Sequence, residues 1–390
     1  VKVPKIQVGI LSFIFFIAFL LFVMDSHAQK EKPLDPSNLH PFAPSFYTHD
    51  RIKISEQPGP LKLVLSPYTG YKNLPRQKTA LFTIDSHGFR ITGKESDHPN
   101  SQRVILLGGS SAFGQEVKDD ETIAFFLHQN NPRLKVINAG VVGFHTAQEL
   151  SSLVTELVHY RPDVVVAYDG WNDLFIQWLI RDQKEIGDHS FAFRMIEELL
   201  IENYKTRVSV KRSFDQLMKI LMERSAVLSF LQEKIARLKQ KFSNTHLLSR
   251  KGELKEIEPE RLNFAVEQYV GNLKEMKEFC ESQGIQFLVV IQPELERKSV
   301  KTKEEMESLR EFDQIFSGYA SQFPKLYELF IQRSKERLQT MGVPFLDIGS
   351  LPEFSGYRGR LFADPVHTNQ MGNAIAAKLI HQKLTRLKKR

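Results

Sequence analysis

Arg103-Val-Ile-Leu-Leu-Gly-Gly-Ser-Ser-Ala-Phe-Gly114 is the stretch on which the reading of this sequence turns. Its apolar run is too short for a helix and ends on a pair of glycines, the mark of a strand buried on both faces. Ser110 then stands just past the carboxyl end of that strand, in a turn that the glycines make tight. The same signal recurs along the chain. Strands are predicted at Arg103–Leu107, Lys135–Asn138, Asp163–Tyr168, Ile285–Ile291 and Val343–Asp347, each a short apolar run. Helical patterns separate them at Glu121–Gln129, Thr146–His159, Glu267–Glu281 and Pro324–Thr340, with a last one at Asn373–Leu384. Asp119 or Asp120 is the expected cap of the first helix. Pro324 is expected to open the fourth, where its missing N–H costs nothing. Alternation of this kind predicts an α/β fold: a five-stranded parallel sheet in a three-layer α/β/α sandwich.

Outside this core the organisation changes. Residues 29–80 are cut by prolines and read as a linker and extended chain, with short strands at Lys62–Leu65 and Leu81–Ile84 and a turn at Gly88. Residues 174–265 are too long for one crossover and carry helical patterns at Phe191–Tyr204 and Ser213–Phe242. They are expected to form a helical insertion, either a cap beside the sheet or a short coiled coil that pairs two copies. A smaller helical insertion is expected at Ser299–Tyr319. The predicted core domain spans 81–390.

Three loops fall at the carboxyl edge of the predicted sheet, where open α/β sheets place their ligands. The first holds Ser110. The second reads Asn138-Ala-Gly-Val-Val-Gly143 and the third Asp169-Gly-Trp-Asn-Asp173. The Gly143 N–H and the Asn172 side-chain amide are suitable donors to a developing oxyanion; turn-forming roles fit the same residues. A fourth loop, Asp364-Pro-Val-His367, offers a carboxylate and an imidazole three residues apart. A serine hydroxyl needs such a base to become nucleophilic, and the base needs an orienting acid. A histidine that packs the last helix, or a metal pair completed by His87 or His145, is the other reading of this loop. No phosphate-loop lysine, no dinucleotide fingerprint and no Gly-x-Ser-x-Gly elbow surrounds Ser110.

Taken together, these blocks resemble the SGNH/GDSL hydrolases. Ser110 matches the family's first-block serine, Gly143 the second-block glycine, Asn172 the third-block asparagine, and Asp364 with His367 the last-block pair. Asn369-Gln-Met-Gly-Asn373 fits the family's approach to its final helix. One departure is Gly109, where the name-giving motif has aspartate. The resemblance covers about residues 80–388. It implies a serine esterase with Ser110, Asp364 and His367 as catalytic residues. The oxyanion hole would be the Ser110 N–H, Gly143 and Asn172. It implies no cofactor and no metal, and an acyl ester as substrate, with carbohydrate-linked acetyl esters one form. Transfer of the acyl group to envelope carbohydrate, and a binding protein with an inactive site, are the alternatives. Trp171, Phe175 and Trp178, beside Asn172, are read either as a sugar-stacking wall or as packing for the helical insertion.

Composition narrows the remaining classes. The net charge of +7 is not gathered into a nucleic-acid motif: its densest stretches, Lys234–Lys241 and Arg386–Arg390, are interrupted by apolar residues. The one cysteine, Cys280, allows no intrachain disulfide and is expected to be buried. At the other end, Lys2 and Lys5 precede seventeen uncharged residues, Val8–Met24. Ser26-His-Ala28 follows with small residues where a signal peptidase cuts. Residues 1–28 are therefore expected to be a signal peptide or an N-terminal membrane anchor, with the rest of the chain extracytoplasmic. Oligomeric state is left open by the sequence.

Overall fold

The computed structural model describes residues 61–92, 100–181, 186 and 257–387. The apolar run at Val8–Met24 and the helical patterns at Phe191–Tyr204 and Ser213–Phe242 lie outside these residues. Among the described residues, no helix is long and apolar enough to cross a membrane.

All five predicted core strands form: β3 at Gln102–Gly108, β4 at Leu134–Asn138, β5 at Val164–Asp169, β6 at Gln286–Ile291 and β7 at Phe345–Asp347. They hydrogen-bond in the order β4-β3-β5-β6-β7, every pair parallel. Burial explains their composition. Every residue of β5 is buried, and so are the last five of β6. A strand covered on both faces has no polar side to alternate with.

Helices cover both faces. The main ones are α1 (Ser110–Phe113), α2 (Ile123–Asn130), α3 (Thr146–Thr155), α4 (Trp171–Leu179), α5 (Pro259–Ser282), α6 (Lys303–Ile315), α7 (Tyr319–Thr340), α8 (Pro352–Ser355) and α9 (Gln370–Leu387). On one face α2 packs against α9, while α5 packs against α3, α4 and α7. The division follows from handedness. The chain runs from β3 outward to β4, then reverses to β5, and a right-handed crossover puts the following helices on the opposite face. The reversal lies between β3 and β5, which makes their carboxyl ends the topological switch point of the sheet.

Several sequence expectations are corrected. Asp119 and Asp120 do not cap α2; they belong to a separate 3₁₀ turn, Asp119–Glu121. Thr122 is the cap, its hydroxyl accepting from the Phe125 N–H at 3.1 Å. Helix α7 does not open at Pro324 but five residues earlier, at Tyr319, with Pro324 in its interior. An interior proline costs a helix about 3 kcal/mol. Here Tyr319, Phe323 and Tyr327, four residues apart and fully buried, stack in succession with ring centroids 5.1 and 5.9 Å apart. Their burial holds the first turns helical despite the lost hydrogen bond.

The segment Leu81–Ile84 is not a strand; it makes only isolated bridges around the Gly88 turn. A strand does form at β1 (Leu63–Ser66), paired antiparallel with an unpredicted partner, β2 (Gly70–Asn73). The insertion is shorter than 174–265, since α4 and α5 reach into both ends of that range and pack in the core. The predicted helix at Thr146–His159 ends as α3 at Thr155, with a 3₁₀ turn, Leu157–Tyr160, after it.

Trp171, Phe175 and Trp178 are core residues and not a sugar-stacking wall. All three are at most 5% exposed. Trp171 and Phe175 stack at 3.9 Å, Phe175 and Trp178 at 5.7 Å, and all three meet Phe323 of α7. Cys280 is buried too, and burial pushes its thiol up to about 12.

Candidate active site

The site grows out of the end of β3. Gly108 has φ +147, and a Cβ there would come within 2.5 Å of the Ala112 Cβ and 2.6 Å of the Tyr168 carbonyl oxygen. Only glycine lets the chain leave β3 at this angle and enter α1 beside β5. Ser110 is the first residue of α1, so its N–H is among those a helix leaves without an internal partner.

Buried side chains fasten the α1 turn from below. The Asn138 amide, at the end of β4, donates to the carbonyls of Ala112 and Phe113 at 3.1 and 3.3 Å, while its oxygen accepts from the Gly140 N–H at 3.1 Å. Arg90, 2% exposed, spreads its guanidinium over the carbonyls of Leu81, Phe113, Gly114 and Val117. Burial lowers the Arg90 pKa, and the Asp119 carboxylate, 2.9 Å from Nε, opposes that shift.

The loop after β7 closes on this turn. His367 Nε2 lies 2.7 Å from Ser110 Oγ, across 257 residues of sequence. His367 Nδ1 lies 2.7 Å from Asp364 Oδ2. Asp364 is itself held: its Oδ1 accepts from the backbone N–H groups of Val366 and His367 at 2.8 and 2.7 Å, and it is 3% exposed. The Ser111 hydroxyl reaches the Val366 carbonyl at 3.4 Å, a second tie between the two loops.

Further support comes from α6. Glu305, fully buried, accepts from the N–H groups of Leu361 and Phe362 at 2.8 and 3.2 Å and pairs with the buried Lys298 Nζ at 2.5 Å. The Asn369 side chain accepts from the Gly372 N–H at 3.0 Å and so caps the start of α9.

Gly143 and Asn172 occupy the neighbouring loops. Gly143 has φ +79. The Asn172 amide donates to the Phe144 carbonyl at 2.6 Å, which spends one of its two hydrogens and fixes the plane of the group. A Cβ at Gly109 would lie 2.5 Å from Asn172 Nδ2 and 3.0 Å from the Phe144 oxygen. The departure at Gly109 thus has a local cause: any side chain there would displace the asparagine.

Sequence patterns did not single out Arg90, Asn138, Glu305 or Glu116. Glu116, just beyond α1, brings a further carboxylate. Donor atoms of Glu116, Asp364 and His367 all lie within 4.8 Å of one another, the set a metal ion would meet among the described residues. His87 and His145 are not part of it: His87 contacts Tyr160, and His145 precedes α3.

No protein-family model matches the chain, and no curated protein does. Solved structures similar to it include a GDSL-like lipase from Bacteroides thetaiotaomicron, at 13% identity over 75% of this chain and 93% of that one, with a TM-score of 0.38. Another is an acetyl xylan esterase, at 11% identity over 72% of this chain and 98% of that one, TM-score 0.40. A third is a variant of an acetyl-xylooligosaccharide esterase from Geobacillus, at 10% identity over 72% and 93%, TM-score 0.37.

Proposed function

We propose that this chain is a serine esterase of the SGNH/GDSL kind, which splits carboxylic esters through an acyl-serine and works outside the cytoplasm. The observation that carries this reading is the pair of 2.7 Å contacts running from Ser110 through His367 to Asp364 at the switch point of the sheet. A carboxylate at Nδ1 keeps the ring proton on that nitrogen, so Nε2 accepts from the serine hydroxyl.

The reaction follows from these positions. His367 Nε2 takes the hydroxyl proton as Ser110 Oγ bonds to the ester carbon, and the carbonyl electron pair moves onto oxygen. The Ser110 N–H, the Gly143 N–H and the second hydrogen of the Asn172 amide are the donors assigned to that oxyanion. Collapse expels the alcohol, which takes the proton from His367. Water, deprotonated by the same imidazole, then releases the acid and frees Ser110. Lys2 and Lys5 ahead of the uncharged run Val8–Met24 support the extracytoplasmic placement.

A fluorophosphonate probe tests the reading. The wild-type protein is expected to be labelled and to hydrolyse short acyl esters, and Ser110→Ala to lose both while keeping its fold by circular dichroism. A wild type that folds but resists the probe would refute it.

A further inference from the structure

The hairpin of β1 and β2 lies outside the parallel sheet, yet it packs against the loop that holds Gly143. Leu63 of β1 and Tyr71 of β2 form a small buried core with Val141 and Phe144. Alternate residues of a strand face the same side, and Tyr71 and Asn73 use that spacing. The Tyr71 hydroxyl donates to the Val142 carbonyl at 3.2 Å, and the Asn73 amide donates to the Gly140 carbonyl at 3.1 Å. Two residues forward along β2 thus match two residues back along the loop. The hairpin turn is tied in addition to α3: the Gln148 amide and the Ser151 hydroxyl donate to the carbonyls of Thr69 and Tyr68, each at 2.9 Å.

The group that Tyr71 holds belongs to the same peptide as the Gly143 N–H. A trans peptide is planar, so its carbonyl and its N–H point opposite ways. This peptide is the middle of a tight turn. The Phe144 N–H donates to the Val141 carbonyl at 3.1 Å, Gly143 has φ +79, and Val142 is not at positive φ. Those are the marks of a type II turn with Gly143 in third position. A type I turn keeps the same closing hydrogen bond with the middle peptide turned over, and glycine accommodates both forms. Turning it over would put the Val142 carbonyl oxygen on the side where the Gly143 N–H now points.

The closing bond of the turn does not choose between the two forms, whereas a donor fixed outside it does. Tyr71 is 2% exposed, and its ring meets that of Phe144 edge-on with centroids 5.3 Å apart. Burial raises the pKa of its hydroxyl, which therefore keeps the proton it donates. The other end of the turn is held as well, by the Asn172 amide on the Phe144 carbonyl.

We propose that Tyr71 is a positioning residue whose hydroxyl locks the Val142–Gly143 peptide with its N–H toward the oxyanion, a role that rests on the esterase reading given above. The hairpin then completes a site whose reacting groups all come from the sheet domain. Without the hydroxyl the peptide samples both forms, and the turned-over form meets the oxyanion with the negative end of a carbonyl. The loss falls on the transition state and not on ground-state binding.

The test compares the full-length wild type with Tyr71→Phe and Ser151→Ala, by steady-state kinetics on a short acyl ester and by inhibition with a trifluoromethyl ketone, which forms a tetrahedral adduct with an active serine. Tyr71→Phe is expected to lose kcat on the order of 10-fold, a fraction of the roughly 100-fold or more that a whole oxyanion donor supplies. Its KM should stay within about twofold, and its affinity for the ketone should fall by about the same factor as kcat. Ser151→Ala loosens the hairpin without touching the turn and is expected to keep kcat within about twofold. A folded Tyr71→Phe with the kcat of the wild type, or an equal loss in Ser151→Ala, would overturn the proposal.

Should Tyr71→Phe fail to fold, a crystal structure of the wild-type fluorophosphonate adduct decides. The phosphonyl oxygen is expected to accept from the Gly143 N–H while the Tyr71 hydroxyl bonds the Val142 carbonyl; a Val142 carbonyl turned toward that oxygen would overturn the role. A folded wild type that neither hydrolyses esters nor takes the probe refutes the esterase reading and removes the premise. An active wild type with an unaffected Tyr71→Phe defeats the role of Tyr71 alone.

Discussion

Gly109 concentrates at one residue the constraint under which the site is built. The space its side chain would fill is taken by the Asn172 amide and the Phe144 oxygen. Gly109→Ala forces one of them to move, and the proposed donor is the less restrained. The variant is expected to fold normally and lose at least about 10-fold in kcat, a fraction of what a whole oxyanion donor supplies. Steady-state kinetics with a melting curve checks this; an unchanged kcat would mean that the asparagine is not needed where it stands. The placing of Ser110, Gly143, Asn172, Asp364 and His367 was legible in the sequence because each lies beyond a strand's end, in a loop or the first turn of a helix, and strand ends are visible as breaks in apolar runs. Arg90, Asn138 and Glu149 were not. What they do is fixed by neighbours tens of residues away, and no local pattern announces a buried arginine among four carbonyls or a fully buried acid.

Among the elements, α6 has the least obvious connection to the chemistry. It opens with a capping box: the Thr302 hydroxyl accepts from the Glu305 N–H, and the Glu305 carboxylate accepts from the Thr302 N–H. The same carboxylate holds the loop that leads to Asp364 and His367 and neutralises Lys298, which also donates to the Gly359 carbonyl at 2.6 Å. Glu305→Gln leaves a fully buried ammonium without its counter-charge, and breaking a buried pair from one side costs about 3–5 kcal/mol. Urea unfolding should show a loss of that order, and a change below about 1 kcal/mol would mean that Lys298 finds water. Helix α6 was legible as a helical insertion, but its service to the His367 loop was not, because the contact spans 56 residues. Helix α7 shows the opposite failure. Pro324 is a strong local signal for a helix start, and the buried aromatic series around it outweighs that signal.

At the scale of the molecule, buried acids set the response to pH. Burial raises Glu294 to about 8, Asp169 to about 7 and Asp173 to about 6, and Glu149 rises with them. In the unfolded chain these groups lose their protons near pH 4. The folded state therefore binds more protons between about pH 4 and pH 8, and stability falls as pH rises through that interval. Asp347 works in the other direction. Its hydrogen bonds with Arg297 and Lys335 outweigh burial and lower its pKa, so its contribution is lost as pH falls below the ordinary carboxylate range. Thermal melts should give a higher Tm at pH 5 than at pH 8.5, and a Tm that rises over that span would contradict the buried protons.

The distance in sequence between Ser110 and His367 also has a consequence for the life history of the chain. A polypeptide still emerging from the ribosome holds the serine long before it holds the imidazole. With four strands of the sheet made, that hydroxyl is as unreactive as any other alcohol. Only when β7 is laid down and the following loop folds back does the proton acceptor arrive. Chemical reactivity at Ser110 would therefore be a late event of maturation, and a probe for it would count finished molecules rather than synthesised ones.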